Sequence, residues 1–236
     1  MLSAQQKNFD DEPFGVTDQR QEDLESFLNE LRAFNVGNLH SVHGRGVVLF
    51  AEGEPIRGAY ILRTGQATVS ISSSEGRVVT LRIAQAGDVL GLNSVLRNGF
   101  YDTTVKTLGP CRTDFIPRAQ LMELMQQSGA GAWAILKMLS RELNELTDRA
   151  KLVLLPQTIS GRLARLLLEW CKENGSATSA QLDKVLTHEQ IAQMICTSRE
   201  TITRLLAAFS RQEVIRVTSD SILIRDRLAL EKLALG

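Results

Sequence analysis

The hydrophobic positions change their period along the chain. Leu24, Phe27, Leu28, Leu31 and Phe34 recur at helical spacing and predict a short amphipathic helix from Gln21. Residues 1–20, with Asp10-Asp11-Glu12-Pro13 and no apolar period, read as a loose arm. Between His40 and Pro117 short β-rich runs follow: Val47–Phe50, Tyr60–Arg63, Ala67–Ser72, Val78–Ile83, Thr103–Thr107 and Cys111–Ile116. Turn residues separate them, among them Gly53-Glu54-Pro55, Thr64-Gly65, Gly87-Asp88 and Gly109-Pro110. Ala67, Val69 and Ile71 alternate with Thr68, Ser70 and Ser72, the period of a half-buried strand. Many short strands at this spacing predict a small antiparallel sandwich or barrel.

From Arg118 the helical period returns. Ala132, Leu136, Leu139, Leu143, Leu146, Ala150 and Val153 follow a heptad spacing of about three repeats, flanked by Arg141, Glu142, Glu145 and Arg149. A core-facing helix of a monomer carries a wider apolar stripe, so this narrow seam favours pairing with an identical helix in a parallel homodimer. Pro156 ends the helix, and Gln157-Thr158-Ile159-Ser160 reads as a hinge. A further helix, Gly161–Glu173, places Leu163, Leu166, Leu167 and Trp170 on one side, and Asn174-Gly175-Ser176-Ala177-Thr178-Ser179 reads as a surface loop.

Recognition chemistry enters at Thr187. Thr187 and Gln190 have the spacing of a capping box, opening a two-turn helix with Ile191, Ala192 and Ile195 on its apolar face. Cys196-Thr197 form a tight turn, and Thr197 or Ser198 caps a second helix, Arg199–Arg211, buried through Ile202, Leu205, Leu206 and Phe209. Two short helices joined this way form a helix-turn-helix. Val214-Ile215-Arg216-Val217, a turn at Thr218-Ser219-Asp220-Ser221 and Ile222-Leu223-Ile224-Arg225 add a hairpin, making the unit winged. A merely solvated face would favour Glu and Lys. Here Ser198, Arg199, Glu200, Thr201, Thr203 and Arg204 are short or planar directional groups: Arg reaches guanine O6 and N7, Glu accepts from cytosine N4, and Thr meets phosphate or a thymine methyl. Arg199 and Arg204 are read near one side of the helix with Glu200 beside them, Thr187 is read among the DNA-binding residues, and His188 near the DNA backbone or solvent.

The 236 residues are 43% hydrophobic and 23% charged, a globular composition sized for one large or two ordinary domains. Lys plus Arg and Asp plus Glu are 27 each, so net charge selects no partner, although residues 158–236 carry a small basic excess. No apolar run suits a membrane span, and the amino terminus lacks a signal-peptide core, so a cytoplasmic protein is expected. Cys111, Cys171 and Cys196 fit a reducing compartment and read as buried small apolar residues. Walker-type phosphate loops, His-Glu-x-x-His and nucleophile elbows are missing from the sequence, so no enzyme is expected.

Taken in order, these motifs resemble the CRP/FNR family of bacterial transcription regulators over about Gln21 to Arg227. Thr197-Ser198-Arg199-Glu200-Thr201-Ile202-Thr203-Arg204 and Thr187-His188-Glu189-Gln190-Ile191-Ala192 carry the resemblance in the second half. Gly53-Glu54, Tyr60-Ile61-Leu62-Arg63-Thr64-Gly65 and Gly87-Asp88-Val89-Leu90-Gly91 are similar to the family's effector-binding β-roll. The resemblance implies a homodimer in which a small effector repositions two winged helix-turn-helix units on a palindromic operator, with a contact to RNA polymerase. The expected fold is α+β: an N-terminal antiparallel, jelly-roll-like β-roll (21–128, after an arm at 1–20), a long central dimerisation helix (129–156) and a C-terminal winged helix-turn-helix (157–236).

The resemblance places the effector pocket at Gly91, Leu92, Asn93, Ser94, Asp102, Thr103 and Thr104. Cyclic-AMP-binding members use a Gly-Glu pair for the ribose and an Arg for the phosphate. Here Leu92 stands at the Glu position and Asp102 at the Arg position. Leu92 cannot accept a ribose hydroxyl and a carboxylate repels phosphate, so cyclic AMP is disfavoured unless a shifted loop brings in Arg97. No Cys precedes Cys111, so the amino-terminal cysteine cluster of the iron–sulfur members is not expected. His40 and His43, flanking the first strand of the roll, are the conceivable haem ligands, though surface histidines are the commoner case. The alternatives are a cyclic-nucleotide-responsive regulator and a constitutive, effector-independent DNA-binding dimer.

Overall fold

The computed structural model describes residues 16–36, 39–97, 99–155, 158–173, 181–183, 186–218 and 221–235. The elements run α1 (Val16–Ala33), β1 (Leu39–His43), β2 (Val48–Phe50), β3 (Gly58–Thr64), β4 (Ala67–Ser72), β5 (Val78–Ala84), β6 (Val89–Leu90) and α2 (Leu92–Leu96). They continue with β7 (Thr104–Thr107), β8 (Cys111–Pro117), α3 (Arg118–Gln127), α4 (Gly129–Leu154), α5 (Ile159–Glu173) and β9 (Gln181–Asp183). The last are α6 (His188–Met194), α7 (Arg199–Arg211), β10 (Ile215–Val217), β11 (Ser221–Ile224) and α8 (Arg227–Leu235).

Two four-stranded antiparallel sheets, ordered β1-β8-β3-β6 and β2-β7-β4-β5, form the roll. Their facing sides bury Phe50, Leu62, Val69, Ala84, Leu90 and Val105. Gly65 turns the chain between β3 and β4 with φ +89°, where an added Cβ would lie 2.4 Å from the Pro110 carbonyl oxygen, so only glycine fits. The opposite side of the first sheet is covered by helices, with Phe27, Leu31, Ile61, Ile116, Leu124 and Ile135 in one cluster. A third cluster is built on α5 to α8 and the β10-β11-β9 sheet, with Leu163, Leu167, Ile195, Ile202, Phe209 and Leu230, and Leu152 of α4 joins it. Each fully buried Leu, Ile or Phe contributes about 1.5–3 kcal/mol of transfer free energy. The long helix α4 is thus cemented into the roll at its first half and into the carboxy-terminal unit at its last turn.

Several expectations are corrected in detail. Helix α1 begins at Val16, so 16–20 are helical rather than arm. His40 and His43 lie within β1. The helical stretch from Arg118 is two helices, because Ser128 takes an extended conformation and caps α4 by accepting from the Gly131 amide at 2.8 Å. Ile159 and Ser160 belong to α5, whose first turn is capped by the Thr158 hydroxyl at 3.0 Å from the Gly161 amide. Pro156, Gln157, the loop read at 174–179 and the wing tip at Ser219-Asp220 lie outside the described residues. In β4 Thr68 and Ser70 are buried and Ile71 is exposed, against simple alternation. A bulge at Val69/Ser70 shifts the register, and the outer face is covered: Thr80, opposite Ser70 on β5, lies 3.4 Å from Gln193 of α6.

Candidate DNA-binding and effector sites

Helix α6 carries the capping box: the Gln190 side chain accepts from the Thr187 amide at 2.8 Å while Thr187 Oγ1 accepts from the Gln190 amide. Cys196, with φ +56°, makes the turn, and the Thr197 amide returns to the Ala192 carbonyl at 3.0 Å. Cys196, at the turn between α6 and α7, is exposed, against the expectation that all three cysteines are buried as Cys111 and Cys171 are. Ser198 caps α7 by accepting from the Thr201 amide. Ile202, Leu206 and Phe209 face inward, leaving Arg199, Glu200, Thr203 and Arg204 exposed and Thr201 half-buried.

At 3.6 residues per turn, Arg199 and Arg204 are nearly one and a half turns apart and do not share one side. Glu200 and Arg204 share a line along the outermost face. Arg199 lines up with Thr203, whose hydroxyl donates to the Arg199 carbonyl at 3.0 Å and lies 2.9 Å from His188 Nδ1. Backbone donation in the first turn and the Ser198 hydroxyl hold the Glu200 carboxyl below the usual carboxylate range.

Two arginines fix this unit to α4 and α5: Arg149, which the sequence placed only as a flank of the seam, and Arg162, which it did not single out. Arg149 of α4 donates to the Met194 carbonyl and Arg162 of α5 to the Ile195 carbonyl at 3.4 Å, both at the carboxy-terminal end of α6, where helix polarity favours cations. Burial lowers the Arg149 pKa from its ordinary value, with nearby Glu169 opposing.

On α4, Leu136 and Leu143 are 54% and 64% exposed and Ala150 is exposed. Ala132, Leu139, Leu146 and Val153 are half-buried, and Leu139 and Val153 pack on the chain's own clusters. The seam is therefore split: every second member forms an uncovered ridge, continued by Leu154 at 77% exposure, and the others lean inward.

In the roll, Gly91 has φ +77° and precedes α2, and an added Cβ would meet Tyr101 and Phe50 at 3.1 and 3.2 Å. Those two rings stack with centroids 4.1 Å apart, and Tyr101 is tied to Gly58 by donation to its carbonyl and acceptance from its amide. Leu92 is buried. The Asp102 carboxylate accepts from Ser94 Oγ at 2.7 Å and Asn93 Nδ2 at 3.0 Å and pairs with Arg97 at 3.4 Å. Arg97 is thus paired with Asp102 at the surface. Thr103 is half-buried, and Thr104 Oγ1 accepts from the Glu52 amide. His40 Nδ1 lies 2.6 Å from Asp114, which also holds Arg63, and His43 Nε2 is 2.9 Å from the Thr113 hydroxyl.

A buried ionic cluster, unsuspected from the sequence, joins α1, the roll and α4. Arg82 meets Asp88 at 2.7 Å, Glu142 at 3.4 Å and Glu145 at 3.7 Å. Arg20 meets Glu145 at 2.7 Å and Asp88 at 3.5 Å, and Lys137 and Arg141 hold Asp23 at 2.9 and 3.3 Å. Burial alone would lower the Arg82 pKa, but Asp88, Glu142 and Glu145 together outweigh it and hold it above its ordinary value. Glu142 is pushed up instead, because burial and two like charges outweigh its attraction to one guanidinium.

Roll, long helix and winged helix-turn-helix in one chain define the class of winged helix-turn-helix DNA-binding regulators. The comparisons agree. Residues 42–128 match the cyclic nucleotide-binding domain and residues 161–233 the Crp-like helix-turn-helix domain. The chain is 30% identical over 196 residues to the CRP-like cAMP-activated global transcriptional regulator of Mycobacterium tuberculosis, covering 80% of this chain and 85% of that protein. It is 26% identical to the anaerobic regulatory protein of Bacillus subtilis over 78% of this chain and 79% of that one. The solved structure of FixK2 from Bradyrhizobium japonicum superposes with a TM-score of 0.72 at 20% identity, covering 85% of this chain and 99% of that one. The chain belongs to the CRP/FNR family, and it is a transcription regulator rather than an enzyme.

The raised Glu142 carboxyl has a measurable sign. Its folded-state pKa lies above its ordinary value of 4.5, so its contribution is fully favourable below 4.5 and is lost as the pH rises through the folded value. The stability of the unmodified protein relative to Glu142→Gln should therefore fall as the pH rises from below 4.5 towards neutrality. Urea unfolding of both proteins across that range checks this, and a difference that stays flat or widens in the opposite direction contradicts it.

Proposed function

We propose that this chain is a cytoplasmic, homodimeric, sequence-specific transcription regulator that reads a palindromic operator with α7 and engages RNA polymerase as its family does. The observation that carries this reading is the exposed amino-terminal turn of α7, with Arg199, Glu200, Thr203 and Arg204 presented on a capped helix. The uncovered ridge at Leu136, Leu143 and Ala150 supports pairing with a second copy. Two-fold symmetry then separates the half-sites by about 34 Å, one turn of DNA. Glu200 and Arg204, on the outermost line, are assigned to base edges, with Arg199, Thr203 and His188 on the flank nearer the backbone. Ser198, which caps α7, and Thr201 reach a phosphate beside Thr187.

Binding selection on randomised DNA tests the reading. The unmodified protein should return a G/C-dependent palindrome. Arg204→Ala should cost about 1–3 kcal/mol concentrated at one base pair per half-site. Identical base preferences at every position for both proteins would reassign Arg204 to phosphate.

Cyclic AMP is not a ligand of the roll in this reading, although a relative 30% identical is named as cAMP-activated. Leu92 offers no acceptor for a ribose hydroxyl, and Asp102 already satisfies Asn93, Ser94 and Arg97 with a carboxylate of its own. A phosphate entering there would face a like charge. Calorimetry at micromolar protein should register no cyclic-AMP binding, whereas a micromolar dissociation constant would overturn this part of the reading.

A further inference from the structure

Arg82 stands on β5 opposite Val69, a residue of the roll core, and its side chain is only 10% exposed. It ends in a crevice between the roll and α4 that Asp88, Leu92, Met138, Glu142 and Glu145 also line. Its two terminal nitrogens meet three carboxylates, one from the roll and two from α4, while Nε is buried with no acceptor among the described residues. The guanidinium is therefore positioned by its charged fork alone. Around it the cations Arg20, Arg82, Lys137 and Arg141 balance the anions Asp23, Asp88, Glu142 and Glu145. Removing Arg82 would leave Asp88 and Glu145 with Arg20 and Arg141, but would leave Glu142, whose one cation among the described residues is Arg82, beside two like charges at a guanidinium-shaped hole, which is disfavoured.

We propose that the Arg82 guanidinium is a built-in ligand of the roll: a cation supplied by the chain itself that fastens the roll to α4 through Glu142 and Glu145. Asp102 plays the matching part at the cassette, supplying the anion that Asn93, Ser94 and Arg97 hold. With both charges internal, the fastening of roll to long helix requires no diffusible molecule. Because β5 also touches α6 through Thr80 and Gln193, and α4 grips α6 through Arg149, the fastening reaches α6, the helix that packs against the recognition helix α7. This inference rests on the DNA-binding reading above.

The test uses the full chain, freed of small molecules, and the DNA site it selects. The unmodified protein should bind that site with no additive, and Arg82→Ala should bind it about tenfold or more weakly. Millimolar methylguanidine should restore most of the loss in Arg82→Ala by filling the hole, leave the unmodified protein unchanged, and fail with Arg82→Ala/Glu142→Gln. Methylammonium at equal ionic strength is the control. If Arg82→Ala is too unstable to hold DNA, the readout becomes its folded fraction and thermal midpoint by circular dichroism from low temperature upwards, which methylguanidine should raise saturably. Unchanged operator affinity in Arg82→Ala, or a loss in affinity or midpoint that methylguanidine does not recover, overturns the proposal. Failure of the unmodified protein to select any DNA sequence would instead overturn the DNA-binding reading.

Discussion

The roll, α1 and the carboxy-terminal unit all meet the inward face of α4, and the constraint at the middle of that face is electrostatic. Along it the side chains run from apolar (Ala134, Ile135, Met138) through ionic (Arg141, Glu142, Glu145, Arg149) to apolar again at Leu152. The apolar ends can pack against any complementary surface. The ionic middle cannot, because a buried charge is tolerated only with a partner at hydrogen-bonding distance. Arg82 and Asp88 of the roll and Arg20 of α1 supply those partners and so set the register of the helix against the roll.

The same helix sets the DNA-binding unit. Leu152 joins the carboxy-terminal core, and Arg149 reaches the last carbonyls of α6, which Arg162 approaches from α5. A shift of α4 against the roll would therefore be felt first at α6 and, across the Cys196 turn, at α7. The outer face of α4 carries none of these contacts, which leaves its ridge of Leu136, Leu143 and Ala150 open for a second copy.

What could be read from the sequence was what depends on near neighbours. The heptad spacing, the capping box at Thr187 and Gln190, and the Ser198 cap are relations over three or four residues, and the structure contains each of them. The split of the seam was not legible, because whether Leu139 or Leu143 is covered depends on α1 and the roll rather than on period. Likewise Arg20, Arg82 and Asp88 look like ordinary surface charges in sequence. Only the topology brings them to Glu142 and Glu145, more than fifty residues away. The placing of Arg199 and Arg204 on one side of α7 failed on helical geometry itself, since five residues exceed one turn. The short strands β1, β6 and β9 escaped because five, two and three residues are too few to show a period.

The central claim is that α4 joins two copies so that two α7 helices read one duplex. Sedimentation equilibrium of the protein with a duplex carrying its selected site measures this directly. The account predicts two chains per duplex, and a loss of affinity when the half-sites are moved apart by about five base pairs, half a turn of DNA. One chain per duplex, with affinity indifferent to half-site spacing, would contradict it.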